Sequence, residues 1–280
     1  MENKEGNIPE LYRNHSLFLN AVKNKDVNAA RALLQSGMSP DSMFANGRTA
    51  LQFACKEGDL PMIRLLLDNN VDLNSQGEQG IFDYPTISLV FDKLFRNRGN
   101  NASNKQELFE VFELMVKVGA NVDVSPCGYG GITLLETLCT WNDSNFDSNS
   151  TVYQIKALEL LLDAPNFSKK KQNLNKGNKS SLLNSSIRTK KSEQFIQRLL
   201  EAFDSFAPDD DCVAAAIKFN YNDDIIRKLL EKHANPNAQF SENNFRRSPN
   251  DSAKQTALDL ARQSNRTSTI ELLMQFAAKQ

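Results

Sequence analysis

Residues 46 to 74, N-G-R-T-A-L-Q-F-A-C-K-E-G-D-L-P-M-I-R-L-L-L-D-N-N-V-D-L-N, set the pattern of the chain. Leu51, Phe53, Ala54 and Cys55 give an apolar face with a small-residue centre, and Met62, Ile63, Leu65, Leu66 and Leu67 give a second at helical spacing. Thr49 stands where a hydroxyl caps a helix, and Gln52 three residues later completes a capping box. The first helix is therefore predicted to begin at Ala50 and to end at Gly58. Asn46-Gly47 is a two-residue turn signal, because both central positions of a type I′ turn need positive φ. Two helices this short cannot each bury a face alone, so they need neighbours.

The neighbours are found by counting. Thirty-three residues before Leu51, Ala54, Gly58 and Asn70 stand Phe18, Ala21, Lys25 and Gly37, and F-L-N-A-V-K-N-K-D-V-N-A-A-R-A-L-L-Q-S-G matches without a gap. G-R-T-A-L-Q-F-A, Gly47 to Ala54, resembles the G-x-T-P-L-H-x-A of the ankyrin repeat family, with Ala50 for Pro and Gln52 for His. The pattern returns as Q-T-A-L-D-L-A, Gln255 to Ala261. The resemblance implies an all-α fold class, an ankyrin-repeat solenoid of stacked helix pairs with β-hairpin-like fingers. Its repeats are expected near 16–42, 43–75, 84–123, 131–167, 181–206, 212–237 and 255–280, as one domain over 15–280 after a polar lead-in at 1–14.

Two polar insertions fall inside repeats. Arg96 to Lys105 and Trp141 to Thr151 are expected as loops between paired helices, with the second helix of repeat four starting at Tyr153. Leu182, Leu183, Ile187, Phe195, Leu199 and Leu200 keep the apolar spacing in repeat five, where the Gly and Thr positions are not recognisable. His233 occupies the Gly position of repeat six and is expected to adopt the left-handed conformation, as Asn70 does in repeat two.

Composition narrows the class of function. With 280 residues, 40% apolar residues and a formal net charge of −1, the chain is neither disordered, collagen-like nor strongly drawn to nucleic acid. Cys55, Cys127, Cys139 and Cys212 lack C-x-x-C spacing and read as reduced core residues. The first residues lack the apolar run of a signal peptide, and no stretch is long enough to span a membrane. A cytoplasmic monomer is expected. The Asn- and Lys-rich composition and degenerate repeats are similar to those of host-directed ankyrin effectors of intracellular bacteria, which implies the host cytosol as an alternative compartment.

Catalytic chemistry has few residues to stand on. His15 and His233 belong to no nucleophile or base arrangement, and neither G-x-x-x-x-G-K-S/T nor G-x-S-x-G occurs. No enzyme, cofactor or metal is therefore expected, an enzyme site in the insertions being the most distant alternative. Asp143, Asn145, Asp147, Asn149 and Thr151 imitate a calcium loop. Ser148 replaces the Gly of its sixth position and Gln154 the Glu of its twelfth, so a solvated loop is the reading. Asp209-Asp210-Asp211 reads as an acidic helix N-terminus favoured by the dipole.

Two surfaces remain as binding candidates. Met43, Phe44, Phe82, Tyr84, Tyr129, Phe240 and Phe245 fall in the inter-repeat fingers, with Arg246 and Arg247 at the tip of the last one. Exposed aromatics and arginines dominate binding energy at protein interfaces, so these residues are expected to meet a partner protein, although fingers also fold rings back to seal their own bases. The alternative is a phosphoinositide or other phosphate ligand on the basic segment 169–191, through Lys169, Lys170, Lys171, Arg188, Lys190 and Lys191. Nucleic acid is disfavoured there, because only Phe167 is available to stack on bases.

Overall fold

The computed structural model describes residues 10–75, 84–95, 102–124, 133–141, 148–165, 167, 182–202, 211–240 and 255–277. These divide between two compact units, Met1–Leu134 with Asp163–Phe167, and Leu135–Leu162 with Ser168–Gln280. Each unit is built from short helices in pairs, the arrangement that the 33-residue period demands.

Unit 1 contains α1 (Glu10–Lys23), α2 (Val27–Gln35), α3 (Ala50–Glu57), α4 (Leu60–Asp68), α5 (Thr86–Phe95) and α6 (Ala102–Lys117). The first helices α1, α3 and α5 pack in one row, the second helices α2, α4 and α6 in another, and each pair packs across. Local chemistry fixes the ends. The Thr49 hydroxyl accepts from Gln52 N at 3.1 Å while Gln52 Oε1 accepts from Thr49 N at 3.0 Å, so the capping box is complete. Gly58 ends α3 at φ 69°, and Lys25 takes the same left-handed conformation at φ 60° one repeat earlier. Asp26 and Asp59 cap α2 and α4.

The core of unit 1 is apolar. Phe18, Leu51, Met62, Ile63 and Leu66 are fully enclosed. Phe91, Phe95, Phe109 and Phe112 follow as a ring cluster, with centroids 4.8 Å apart for Phe91–Phe95 and 6.0 Å for Phe91–Phe112. Enclosing such side chains is worth about 1.5–3 kcal/mol each in water-removal terms. Backbone ties link successive finger bases: Asp72 N donates to Asp41 Oδ1 at 2.7 Å, and Asn121 N to Asn74 Oδ1 at 2.9 Å.

Unit 2 contains most of α7 (Leu134–Thr140), then α8 (Ser148–Leu162), α9 (Leu182–Arg188), α10 (Glu193–Ala202), α11 (Cys212–Lys218), α12 (Asp223–Glu231), β1 (Gln239–Phe240), β2 (Gln255–Thr256), α13 (Ala257–Gln263) and α14 (Thr267–Ala277). Here α9, α11 and α13 form one row and α8, α10, α12 and α14 the other. β1 and β2 pair antiparallel, Gln239 with Thr256 and Phe240 with Gln255. The weakly patterned repeat five is a full helix pair, its first helix ended by Lys190 at φ 56°. His233 is left-handed at φ 64° and Asn70 at φ 56°, as the sequence reading expected.

Three expectations are corrected. The lead-in is partly helical, since α1 begins at Glu10. Helix also runs into both insertions, because α6 starts at Ala102 and α8 at Ser148, ahead of the expected Tyr153. Asn149 and Thr151 of the calcium-like run are thus helical and cannot wrap an ion as a loop. Among the described residues no helix is long and apolar enough to cross a membrane.

Candidate binding surface

The finger that enters α3 shows how side chains are aimed. The sequence placed a type I′ turn at Asn46-Gly47. The hydrogen-bonded turn instead has Ala45 and Asn46 at its centre, with Gly47 N donating to Phe44 O at 2.8 Å. Gly47 then sits at φ 77° and Phe44 N donates to Arg48 O at 2.8 Å, so one left-handed glycine closes a three-residue loop. Met43 pairs with Thr49 across it. This register leaves Met43 36% exposed and lays Phe44 on Phe53 of α3, ring centroids 4.8 Å apart. Both rings are half-buried, so each keeps an accessible edge. Tyr84 is also half-buried, and its carbonyl accepts from Gln52 Nε2 at 3.4 Å, which ties the next finger to the capping residue of α3.

Met43, Phe44 and Tyr84 therefore gather around α3, with Phe53 between them in sequence. Phe53 was missed as a site residue, because its place in an apolar helical pattern made it look like core. Phe82, Tyr129, Phe245, Arg246 and Arg247 lie outside the described residues, as do Lys169, Lys170, Lys171 and Cys127.

Unit 2 overturns several expectations. Phe240, expected on an exposed finger, is buried at 7% exposure. It stands edge-on to Phe219 at 6.2 Å, with the Arg188 guanidinium 4.9 Å and Lys218 Nζ 6.0 Å from its ring centre. The physical reason is cation attraction to the ring face, added to the burial of its apolar area. Arg188 is engaged within the unit. Its Nη2 donates to Asp211 Oδ2 at 2.6 Å and its Nε to Asn184 Oδ1 at 2.8 Å, while Asn184 Nδ2 donates to Asp211 Oδ1 at 2.6 Å. Asp211 stands at the N-cap of α11 but makes no side-chain cap bond, because Arg188 and Asn184 take its carboxylate.

Lys191 is also internal. Buried at 6% exposure, its ammonium donates to Trp141 O at 3.0 Å and Gln154 Oε1 at 3.1 Å, and it lies 5.7 Å from the centre of the Phe195 ring. A buried ammonium must be satisfied by such acceptors, so this residue joins α7, α8 and α10 rather than a surface patch. Lys190 remains exposed, 5.7 Å from the Phe219 ring centre.

A second set of polar ties joins the second helices of unit 2. Glu193 accepts from Asn222 N at 3.2 Å and from Asn222 Nδ2 at 2.7 Å. Asp223 accepts from Arg266 Nη2 at 2.6 Å and from the Ser268 and Thr269 hydroxyls. Desolvation pushes the Asp223 carboxyl upward, but the donors Ser268, Thr269 and Arg266 outweigh it and hold the group below its ordinary value. The thiols show the reverse. Burial pushes Cys139 up to about 11 and Cys55 further, beyond the range of a reactive thiolate, and Cys55, Cys139 and Cys212 are all buried and in no disulfide. Among the described residues no group of three or more His, Cys, Asp or Glu is placed to hold a metal ion.

Helix pairs closed by left-handed residues, capped by Thr and linked through short hairpin fingers define a repeat protein of the stacked helix-pair class. Residues 4–79 match the family model described as ankyrin repeats, in three copies. It is 27% identical over 123 residues to the ankyrin repeat, SAM and basic leucine zipper domain-containing protein 1 of Carollia perspicillata, a match covering 44% of this chain and 23% of that protein. It is 31% identical over 86 residues to an ankyrin repeat-containing protein of Treponema pallidum, covering 28% of this chain and 29% of the other. The chain thus spans about a quarter of the length of these curated relatives. A solved ankyrin repeat domain from Acinetobacter baumannii AYE aligns over 93% of this chain and 97% of its own, at 16% identity and a TM-score of 0.44. Ankyrin repeats are in general protein-protein interaction modules.

Proposed function

We propose that the chain is a non-enzymatic protein-binding module whose partner docks on the fingers and first helices of unit 1. The observation that carries this reading is the group of Met43, Phe44 and Phe53, with Tyr84 on the next finger. Large apolar and aromatic side chains stand there partly open on a rigid support. Methionine and aromatic residues are enriched at interface centres, and rings held by packing lose little entropy when a partner covers them. The rigidity comes from below: the capping box of α3 and the Gln52–Tyr84 bond fix both fingers. Unit 2 contributes less to this reading, because Phe240, Arg188 and Lys191 are engaged within the unit itself.

The test is an affinity pull-down with the intact chain beside a Met43→Glu, Tyr84→Ala variant whose far-UV circular dichroism is unchanged. A partner protein retained by the first and lost by the second supports the reading. Retention of the same proteins by both overturns it.

A further inference from the structure

Asn46, at the tip of the finger that enters α3, is exposed and is the only asparagine in the chain followed by glycine. Its Oδ1 accepts from Arg48 N at 3.2 Å. Two other asparagines have the same arrangement. After α6, Asn121 Oδ1 accepts from Asp123 N at 3.0 Å, and after α12, Asn235 Oδ1 accepts from Asn237 N at 2.9 Å. In each, the carboxamide imitates a backbone turn and folds back toward the peptide nitrogen of the residue between.

That middle residue separates the three. After Asn235 stands Pro236, whose nitrogen carries no hydrogen to lose. After Asn121 stands Val122, buried, with a β-branched side chain crowding its nitrogen. After Asn46 stands Gly47, at φ 77° and with no side chain to shield its nitrogen. Of the three, only Asn46 joins an open nucleophile to a carbonyl already polarised by an N–H.

We propose that Asn46 is a deamidation site of the folded protein. The Gly47 nitrogen, having given its proton to hydroxide, attacks Cγ of Asn46 and forms a C–N bond. Negative charge gathers on Oδ1, where the Arg48 N–H serves as an oxyanion donor. The bond from Cγ to the side-chain nitrogen then breaks, ammonia leaves with a proton from water, and a cyclic imide remains. Water opens the imide at either carbonyl and gives aspartate or isoaspartate, with no change of oxidation state. One contact opposes the attack: Gly47 N donates to Phe44 O at 2.8 Å, and this bond must open before the nitrogen can react. Ala45 and Asn46 are both exposed, so opening the tip uncovers little that was buried. The isoaspartyl product lengthens the main chain inside the loop, which breaks the register that pairs Met43 with Thr49 and lays Phe44 on Phe53.

The test holds the intact chain in mildly alkaline buffer, native and in urea, and maps its peptides over time by mass spectrometry with electron-transfer fragmentation, which separates aspartate from isoaspartate. Native Asn46 is expected to convert to both products at a rate within about tenfold of that in urea, and faster as the pH rises. The amides of Asn121 and Asn235 are expected to persist in the native chain. A native chain that keeps the Asn46 amide while the urea sample loses it overturns the proposal, and so does retention in both. Aspartate without isoaspartate also overturns it, because direct hydrolysis then replaces the imide. Native loss at Asn121 or Asn235 as fast as at Asn46 contradicts the selection by Gly47. An Asn46→Gln variant, whose longer side chain disfavours the ring, is expected to keep its amide under the same conditions.

Discussion

The two units solve one problem by different means. Unit 1 joins its repeats through apolar periodicity, the Phe91–Phe112 ring cluster and backbone-to-Asx ties at finger bases. Unit 2 adds polar contacts specific to single positions, some buried and some exposed: Arg188–Asp211–Asn184 and Lys191–Gln154 inside, Glu193–Asn222 at the surface, and Asp223 with Arg266, Ser268 and Thr269. The difference teaches that a repeat can lose its Gly and Thr signature and still form when particular side chains replace what the consensus supplied. Those contacts also engage Arg188, Asp211 and Lys191 within unit 2 itself.

The largest effects fall on the two kinds of glue. Phe112→Ala opens a cavity in unit 1 and is expected to cost about 3–5 kcal/mol in denaturant titrations. Asp211→Ala leaves the guanidinium of Arg188 and the amide of Asn184 without their carboxylate, at a similar cost of about 3–5 kcal/mol. The double change Arg188→Met, Asp211→Leu sharpens the comparison. It removes both buried charges and is expected to recover most of that loss, whereas no such pairwise rescue exists for Phe112.

A smaller effect is expected at Asp223. Its carboxyl is held below the ordinary 3.8, so the folded state binds fewer protons than the unfolded one near that value. Its contribution is complete above pH 3.8 and is lost as the pH falls through the depressed value. Asp223→Asn should flatten the acid limb of the stability profile, and a limb identical to that of the parent chain would contradict the assignment. Thr49→Ala removes the hydroxyl that caps α3 and should cost about 1 kcal/mol by thermal melting. The smallest change is a gain. His233→Gly relieves a left-handed side chain at φ 64° and should stabilise by roughly 0.5 kcal/mol, the strain relief being partly offset by glycine's greater chain entropy.

Much of this was legible in the sequence, for local reasons. The 33-residue period, the Thr49–Gln52 box and the left-handed Asn70 and His233 follow from short-range rules, and the structure has all of them. The turn before α3 was misplaced because Asn-Gly fits two hairpin registers, and only the pairing of Met43 with Thr49 chooses between them. Helix starts at Ala102 and Ser148 were missed because Asn and Ser favour loops and caps in isolation. The candidate site was harder to read. Asp211 looked like a dipole partner, and Arg188 and Lys191 like surface cations, because the bonds that claim them join residues 23 to 50 positions apart. Nothing in a local window reports such pairs. Phe240 failed as an exposed finger residue for the same reason, its cations coming from α9 and α11.

The central claim is that specific polar ties hold unit 2 while unit 1 rests on its periodic core. Hydrogen exchange of the Asp211→Ala chain, read by mass spectrometry against the parent, tests it most directly. The account predicts faster exchange, by tenfold or more, confined to peptides from α9, α10, α11 and α12, with α3, α4 and α5 unchanged. Equal acceleration in both units, or none in either, would contradict it.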